Sequence, residues 1–187
     1  MENMLFDELR WINKYLEPNF SLTKEDIEEL KTFTFMWDMF EAKACDGVIT
    51  AQAIADFVLH KLDLPTKNRD ASVIDAYYIY FKNRYIQSGK SNELFEKMSS
   101  TLTETFANGD RVFNVKEFVL NILLEKSPTE KNKLLSILLI IYRIRGNFYI
   151  RESSLIKNKD QYKIYSVANN IVAMVLDKYH KDVENKK

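Results

Sequence analysis

Apolar residues recur at intervals of three or four positions along most of the chain, which is the spacing that places side chains on one face of an α-helix. Capping residues and helix breakers divide this pattern into segments, because Ser, Thr, Asp and Asn open helices whereas Gly and Pro interrupt them. No segment shows the strict alternation of apolar and polar residues that is typical of a strand. The pattern predicts helices over 2–16, from Thr23 to about Ala44, from Thr50 through Leu62, over 71–87 after Asp70, over 92–107, from Asn114 through Leu124, over 128–148 and over 160–182.

The helix predicted over 128–148 differs from the others because it is apolar nearly all the way round. It follows a sequence with Ser127 at the N-cap, Pro128 at the first helical position and Glu130 at the third, which indicates a capping box. A helix without a polar face is usually buried. We therefore expect an all-α bundle of about seven to eight helices around this segment, with the last helix antiparallel to it.

The length of 187 residues suits a single domain. We expect one helical domain over 1–187, in which 1–22 form an N-terminal helix and linker and 182–187 form a frayed tail. The N-terminus is acidic rather than a basic secretory signal, and the longest apolar run, Leu134–Tyr142, is too short to span a bilayer. The sequence therefore predicts a cytoplasmic protein with no membrane association.

The amino-acid composition argues against several classes of protein. Four glycines and three prolines are too few for the many turns of an all-β sandwich or barrel, and no glycine-rich nucleotide-binding motif is present. One cysteine, Cys45, and two histidines, His60 and His180, provide neither a disulfide framework nor a cluster of metal ligands. We therefore expect no metal and no cofactor.

Charge is balanced over the whole chain but is unevenly distributed. Up to position 60 there are 12 acidic and 5 basic residues, whereas the remainder has 15 acidic and 22 basic residues. This asymmetry is compatible with a basic face for nucleic acid, with self-association of unlike faces, or with a surface of locally unbalanced charge.

Two arginines, Arg143 and Arg145, close the most apolar helix. A guanidinium at the end of a buried helix requires a partner, because burying an unpaired charge is costly. One explanation is structural, since cations near a helix C-terminus interact favourably with the dipole and with the last carbonyls. The other explanation is a functional site that binds an anion.

The segment Arg145-Gly146-Asn147-Phe148-Tyr149-Ile150, after an apolar helix and before a polar loop and an amphipathic last helix, resembles the HEPN superfamily. The motif of that family is an arginine, four to six residues and a histidine, and one form reads Arg-Asn-Asn-Leu-Phe-His-Gly. The stretch from Phe35 to Ala42 is also similar to the aromatic helix of the family that faces the motif. The resemblance covers about residues 25–180 and implies a HEPN-like bundle. Two positions depart from the motif, because Ile150 occupies the histidine position and Gly146 replaces the first asparagine.

In active members, the resemblance implies metal-independent RNA cleavage in a cleft formed by two copies of the chain. The histidine moves a proton during attack of the ribose 2′-hydroxyl, and the arginine stabilises the phosphorane. On this basis Arg145 and Asn147 are the candidate catalytic residues, and Arg143, Tyr149 and Arg151 are candidate substrate-binding residues. Ile150 cannot transfer a proton, so we expect an arginine that binds phosphate without catalysis.

Other residues provide weaker candidates. Asp38 and Glu41 lie three positions apart and could act as a carboxylate pair; alternatively they are solvated, or one of them pairs with Arg143 or Arg145. The Tyr and Phe residues between 77 and 85 could stack bases, although helical spacing favours a place in the core. His180 lies far along the last helix, so only a partner chain could bring it to Arg145. His60 ends another helix, where a surface or capping role is expected.

Three functions remain open from the sequence. The first is a catalytically degenerate HEPN-like homodimer that binds RNA, a nucleotide or a protein such as an antitoxin, in a toxin–antitoxin or phage-defence setting. The second is a metal-independent endoribonuclease with a rearranged catalytic set. The third is a purely structural helical interaction protein. The Ile150 substitution favours a binding protein over an enzyme.

Overall fold

Helices make up most of the part of the chain that the computed structural model describes, which comprises residues 6–15, 21–64, 72–100, 102–149 and 162–185. The α-helices of these residues are α1 (Glu8–Lys14), α2 (Lys24–Ala44), α3 (Ala51–Asp56), α4 (Val73–Tyr85), α5 (Glu93–Ser99), α6 (Val115–Leu124), α7 (Glu130–Tyr149) and α8 (Tyr162–Glu184). A π-helical turn, Phe57–Lys61, continues α3. Two antiparallel hairpins complete the fold: β1 (Ile86–Gln87) with β2 (Lys90–Ser91), and β3 (Thr105–Asn108) with β4 (Arg111–Asn114). The predicted all-α class is confirmed.

Local caps define several helix starts as predicted. Thr23 and Asp26 form a reciprocal capping box at the start of α2, and the Asn114 side chain accepts the backbone N–H of Glu117 in α6. Thr50 accepts the N–H of Ala53 at the start of α3. These contacts satisfy backbone donors that have no partner within the helix.

The predicted capping residues of two other helices were wrong. Helix α4 is capped by Ser72, which forms a capping box with Asp75, rather than opened by Asp70. The first turn of α7 is capped by Thr129, whose hydroxyl accepts the N–H of Asn132, rather than by Ser127. The carboxylate expected to complete the box, Glu130, instead contacts Ser72 of α4.

The predicted helix over 92–107 was also wrong, because α5 ends at Ser99 and the chain continues into a hairpin. Strands β3 and β4 pair with Asn108 opposite Arg111, and Gly109 and Asp110 connect them. Gly109 has a φ of +60°, a conformation that two-residue hairpin turns require and that glycine adopts without strain. The Gln52 side chain fixes the hairpin to α3, since its amide both donates to the carbonyl and accepts from the N–H of Ala107.

Helix α7 lies at the centre of the fold, as predicted. Its residues from Leu134 to Ile141 are buried, and the helix packs against α3, α4, α5, α6 and the π-helical turn. Burial of this apolar helix contributes to stability, since apolar area removed from water stabilises at about 25 cal/mol per Å². The end of this helix therefore has a fixed position relative to the rest of the bundle.

Helix α8 packs mainly against α2. The two helices are antiparallel, because Asn169 contacts Glu29 whereas Tyr165 contacts Phe33. The C-terminal half of α8 reaches the beginning of α7, where Val175 and Leu134 line a common cavity. At the other end of α7, Arg145 contacts α2 near the start of α8. Helices α7 and α8 therefore run antiparallel, as predicted.

Helix α8 extends beyond the point where fraying was expected. It ends at Glu184, and Asp182 is buried because its carboxylate accepts the backbone N–H of Asp63 and an ion-pair hydrogen bond from Lys178. These contacts provide an anchor that the sequence pattern does not reveal. The first residues of the predicted frayed tail over 182–187 therefore belong to α8, as far as Glu184.

Candidate functional site

The last turns of α7 are tied to three other elements by polar side chains. Tyr142 contacts Glu104 before β3, Arg143 contacts Met98 of α5, and Arg145 contacts Asp38 of α2. Because α7 is buried from Lys133 to Ile141 and half-buried from Tyr142 to Gly146, these contacts mark where the central helix meets the surface. The contact of Arg145 with Asp38 joins two oppositely charged side chains at this end of α7.

The Arg145–Asp38 pair has the geometry of a partly exposed ion pair. Nη2 of Arg145 donates to Oδ1 of Asp38 at 3.0 Å. The arginine side chain is 26% exposed and the aspartate side chain is 58% exposed. Pairing of Arg145 with an acid was one of the alternatives that the sequence left open. A partly exposed ion pair of this kind contributes about 0–1 kcal/mol to stability.

Arg143 has a structural contact. Its Nε donates a hydrogen bond of 2.9 Å to the backbone carbonyl of Met98, near the end of α5. The last carbonyls of a helix have no partner within the helix, so a guanidinium that binds one of them stabilises the helix end. This contact connects α5 to α7 and explains one of the two arginines without a ligand.

Tyr142 is not suited to proton transfer near neutral pH. Its hydroxyl lies 3.1 Å from both carboxylate oxygens of Glu104, to which it donates. Burial of the phenol, together with the negative charge of Glu104, raises the pKa of Tyr142 to about 12. The tyrosine is therefore neutral and acts as a hydrogen-bond donor.

The remaining predicted site residues are placed only in part. Glu41 lies one turn beyond Asp38 on α2 and is half-buried, and among the described residues its carboxylate has no hydrogen bond or ion pair. The backbone of Asn147 and Tyr149 belongs to the last turn of α7. Ile150 and Arg151 lie outside the described residues, so their predicted roles stay predictions.

Neither histidine lies beside Arg145. His180 is exposed and pairs with Glu184 at 3.2 Å near the end of α8. That part of α8 is close to Leu134, and 11 residues of helix at 1.5 Å each place Arg145 about 16 Å further along α7. His60 is exposed on the π-helical turn. The carbonyl of its neighbour Leu59 accepts from Nζ of Lys131, which places this turn at the start of α7, at the opposite end from Arg145.

Three aromatic residues of α4 belong to the core rather than to a stacking surface, whereas Tyr77 and Tyr80 are half-buried. Tyr78, Phe81 and Tyr85 are buried, and the Tyr78 hydroxyl donates to the carbonyl of Ile122 at 2.7 Å. That bond caps the end of α6. Base stacking on these three rings would require the core to open.

Sequence reasoning missed a buried ionic cluster where α4 and α7 begin. Nζ of Lys133 donates to Asp75 at 2.5 Å and to Glu130 at 3.2 Å, and the Ser72 hydroxyl donates to Glu130 at 2.9 Å. The side chains of Lys133 and Glu130 are only 5% and 3% exposed. The available signal was a Glu and a Lys three positions apart in an otherwise apolar helix.

Within the described part of the chain, no helix is both long and apolar enough to cross a membrane, and no group of three or more His, Cys, Asp or Glu residues is placed to hold a metal ion. No family model, curated protein or solved structure matches the chain. The resemblance to the HEPN superfamily therefore depends on the residues around Arg145 and on the segment 35–42 alone.

Proposed function

We propose that the chain is a HEPN-like helical module that binds RNA through a phosphate contact at Arg145 and does not cleave it. The observation that supports this proposal is the partly exposed Arg145 guanidinium, held at the end of a rigid helix by an exposed carboxylate. A guanidinium that pairs with a carboxylate also matches the geometry of a phosphate, which it can bind through two parallel hydrogen bonds. Arg145 would exchange Asp38 for an RNA phosphate.

Absence of catalysis follows from the residue at position 150. RNA cleavage through the ribose 2′-hydroxyl requires a proton carrier, and isoleucine has none. Tyr142 has a pKa of about 12 and does not provide one near neutral pH. A binding protein therefore agrees better with this helix end than the alternative of an endoribonuclease.

The proposal includes a homodimer whose contact surface contains the outer face of α2. Phe35 is 65% exposed and Met39 is 37% exposed, and they flank Asp38 on this face. Exposed apolar side chains at one place are typical of interaction surfaces. A second copy would cover them and bring the two Arg145 residues near each other. The cytoplasmic location and the toxin–antitoxin or phage-defence setting rest on the HEPN resemblance alone.

The proposal is tested by fluorescence anisotropy with a labelled single-stranded RNA. We expect saturable, salt-sensitive binding, and we expect Arg145→Ala to weaken it by about 1.5–3 kcal/mol, roughly 10- to 150-fold. Arg10→Ala is the control, since it removes an exposed arginine from α1. Absence of saturable binding, or an equal loss in both variants, would exclude the phosphate contact and favour a purely structural interaction protein.

A further inference from the structure

A cavity of about 410 Å³ opens between the β3–β4 hairpin, α6, α7 and the π-helical turn. Its volume lies within the range of small-molecule sites. Asn132 and Leu135 of α7 line it, and the 10 to 13 residues from there to Arg145 correspond to about 15–20 Å of helix. The cavity is therefore separate from the candidate phosphate contact and independent of the proposed function.

Aromatic rings form part of its wall. Phe106 of β3 packs against Phe113 of β4 with ring centroids 5.3 Å apart, and both contact Phe118 of α6. Phe106 is buried, whereas Phe113 and Phe118 are half-buried. The two half-buried rings give the cavity apolar surface that a flat ligand can cover.

Four asparagines surround this surface: Asn108, Asn114, Asn121 and Asn132. Among the described residues, the carboxamides of Asn108, Asn121 and Asn132 make no hydrogen bond. The Gln52 side chain differs from them, because its NH2 group and its carbonyl oxygen both form hydrogen bonds with the backbone of Ala107 in β3. The three asparagines thus provide donors and acceptors that the fold does not use.

The cavity also has one charge of each sign. Arg111 of β4 and Glu117 of α6 line it, and neither forms an ion pair with another described residue. A polyanion such as an RNA strand would meet the glutamate as well as the arginine. A ligand with one anionic end and several hydroxyl groups suits this pair better.

We propose that this cavity binds a purine nucleoside monophosphate with an adenine base. Adenine offers an adjacent donor and acceptor, N6 and N7, that one asparagine carboxamide binds through two hydrogen bonds. Phe113 and Phe118 stand at 74° to each other, so one ring stacks on a face of the base and the other contacts its edge. Glu117 accepts hydrogen bonds from the ribose hydroxyls, and Arg111 binds the phosphate. Each class of lining group then has a counterpart in the ligand.

The probe is AMP, titrated by calorimetry into the full chain, with adenosine as a second arm. We expect one AMP per chain. Asn121→Ala and Asn132→Ala are each expected to weaken AMP binding at least fivefold, and Arg111→Ala is expected to weaken AMP binding more than adenosine binding. Arg111 and Asn121 are exposed and Asn132 is half-buried, so none of the three truncations removes a fully buried side chain. Asn83→Ala on α4, an exposed asparagine away from the cavity, is expected to change nothing.

Four results would overturn the proposal. The first is no saturable binding of AMP or adenosine at millimolar concentration. The second is binding that Asn121→Ala and Asn132→Ala leave unchanged. The third is tighter binding of GMP or CMP than of AMP. Loss of AMP binding only in Arg145→Ala would also overturn it and would assign the nucleotide to the end of α7, so the two sites are distinguished by one set of variants.

Discussion

Arg145 and Asp38 are 107 positions apart in the sequence, yet Nη2 of the arginine donates to Oδ1 of the aspartate at 3.0 Å. The arginine comes from the end of the buried central helix and the aspartate from the exposed face of α2. Two interpretations of this contact differ in their consequences. A structural pair holds two helices together, whereas a functional pair keeps the guanidinium in place until an anion replaces the carboxylate.

The Asp38→Asn variant separates these two interpretations. If Asp38 competes with RNA phosphate, its loss raises RNA affinity, by up to about fivefold for a pair worth about 1 kcal/mol. We expect stability to change by less than about 1 kcal/mol. Glu41→Gln is the control because it removes the same charge from the same helix. Equal RNA affinity in both variants, measured by anisotropy, would contradict the exchange of anions.

The buried lysine of α7 predicts a large effect on stability. Burial acts to lower the pKa of Lys133, but hydrogen bonds to Asp75 and Glu130 outweigh it and raise the pKa, so the lysine is charged. Lys133→Met leaves the buried Glu130 without this cation and should cost about 3–5 kcal/mol. Denaturant unfolding measures the loss, and the exposed Lys126→Met is expected to stay within about 0.5 kcal/mol.

A second variant tests the cause of that loss. Adding Glu130→Gln to Lys133→Met removes the buried charge that the single variant leaves, so part of the stability should return. If the double variant is less stable than Lys133→Met by the full cost of Glu130→Gln alone, the two residues are independent and the ionic explanation is wrong.

Much of the helical pattern could be predicted because its signals are local. Thr23 and Asp26 are three residues apart, as are Asn114 and Glu117, and both pairs begin helices where expected. The β3–β4 hairpin could not be predicted in the same way, because Gln52 and Ala107, which hold it, are 55 positions apart. The sequence Asn108-Gly109 was interpreted as a helix end, although it also suits a two-residue hairpin turn.

The candidate site was predictable to a smaller extent. An arginine closing an apolar helix indicates that an acid is needed, so the pairing of Arg145 with Asp38 or Glu41 could be anticipated, but not which of the two acids. The buried contact of Lys133 with Asp75 joins residues 58 positions apart. Packing of α4 against α7 creates it, and the spacing of residues within either helix does not reveal it.

Four tyrosines predict how the protein responds to alkaline pH. Burial is the main cause that raises the pKa of Tyr78, Tyr85, Tyr142 and Tyr165 to about 12, whereas the ordinary value is 10.0. The native state therefore favours the neutral phenols. Their contribution to stability is complete below pH 10 and is lost as the pH rises from 10 towards 12.

Tyrosinate absorbance measures this effect. At least four of the ten tyrosines should resist ionisation between pH 10 and 12 in the native protein and should titrate normally in guanidinium. Unfolding experiments should show stability falling over the same interval. Ionisation of all ten near pH 10 while the circular dichroism stays native would contradict the burial of these phenols.

The outer face of α2 predicts the oligomeric state. We expect a homodimer by sedimentation equilibrium at micromolar concentration, and we expect Phe35→Glu to shift it to monomer because a carboxylate would be buried in the contact. Ile79→Glu is the matched control, since Ile79 is 53% exposed on α4. A wild-type chain that stays monomeric at high micromolar concentration would refute the dimer.

The residue at position 150 provides the last prediction, which concerns catalysis. The chain as it stands should show negligible metal-independent cleavage of RNA, because isoleucine cannot accept or donate the proton that the reaction must move. Ile150→His restores the spacing of an arginine, four residues and a histidine without changing the length. General acid–base catalysis typically contributes about 10²–10⁴-fold, so cleavage resistant to EDTA should then appear.

Ile150→Gln is the control for polarity, and adding Arg145→Ala to Ile150→His should abolish the activity. An Ile150→His chain that binds RNA but stays inactive would limit the HEPN resemblance to the fold, and efficient cleavage by the unaltered chain, lost in Arg145→Ala, would show that the protein is an enzyme.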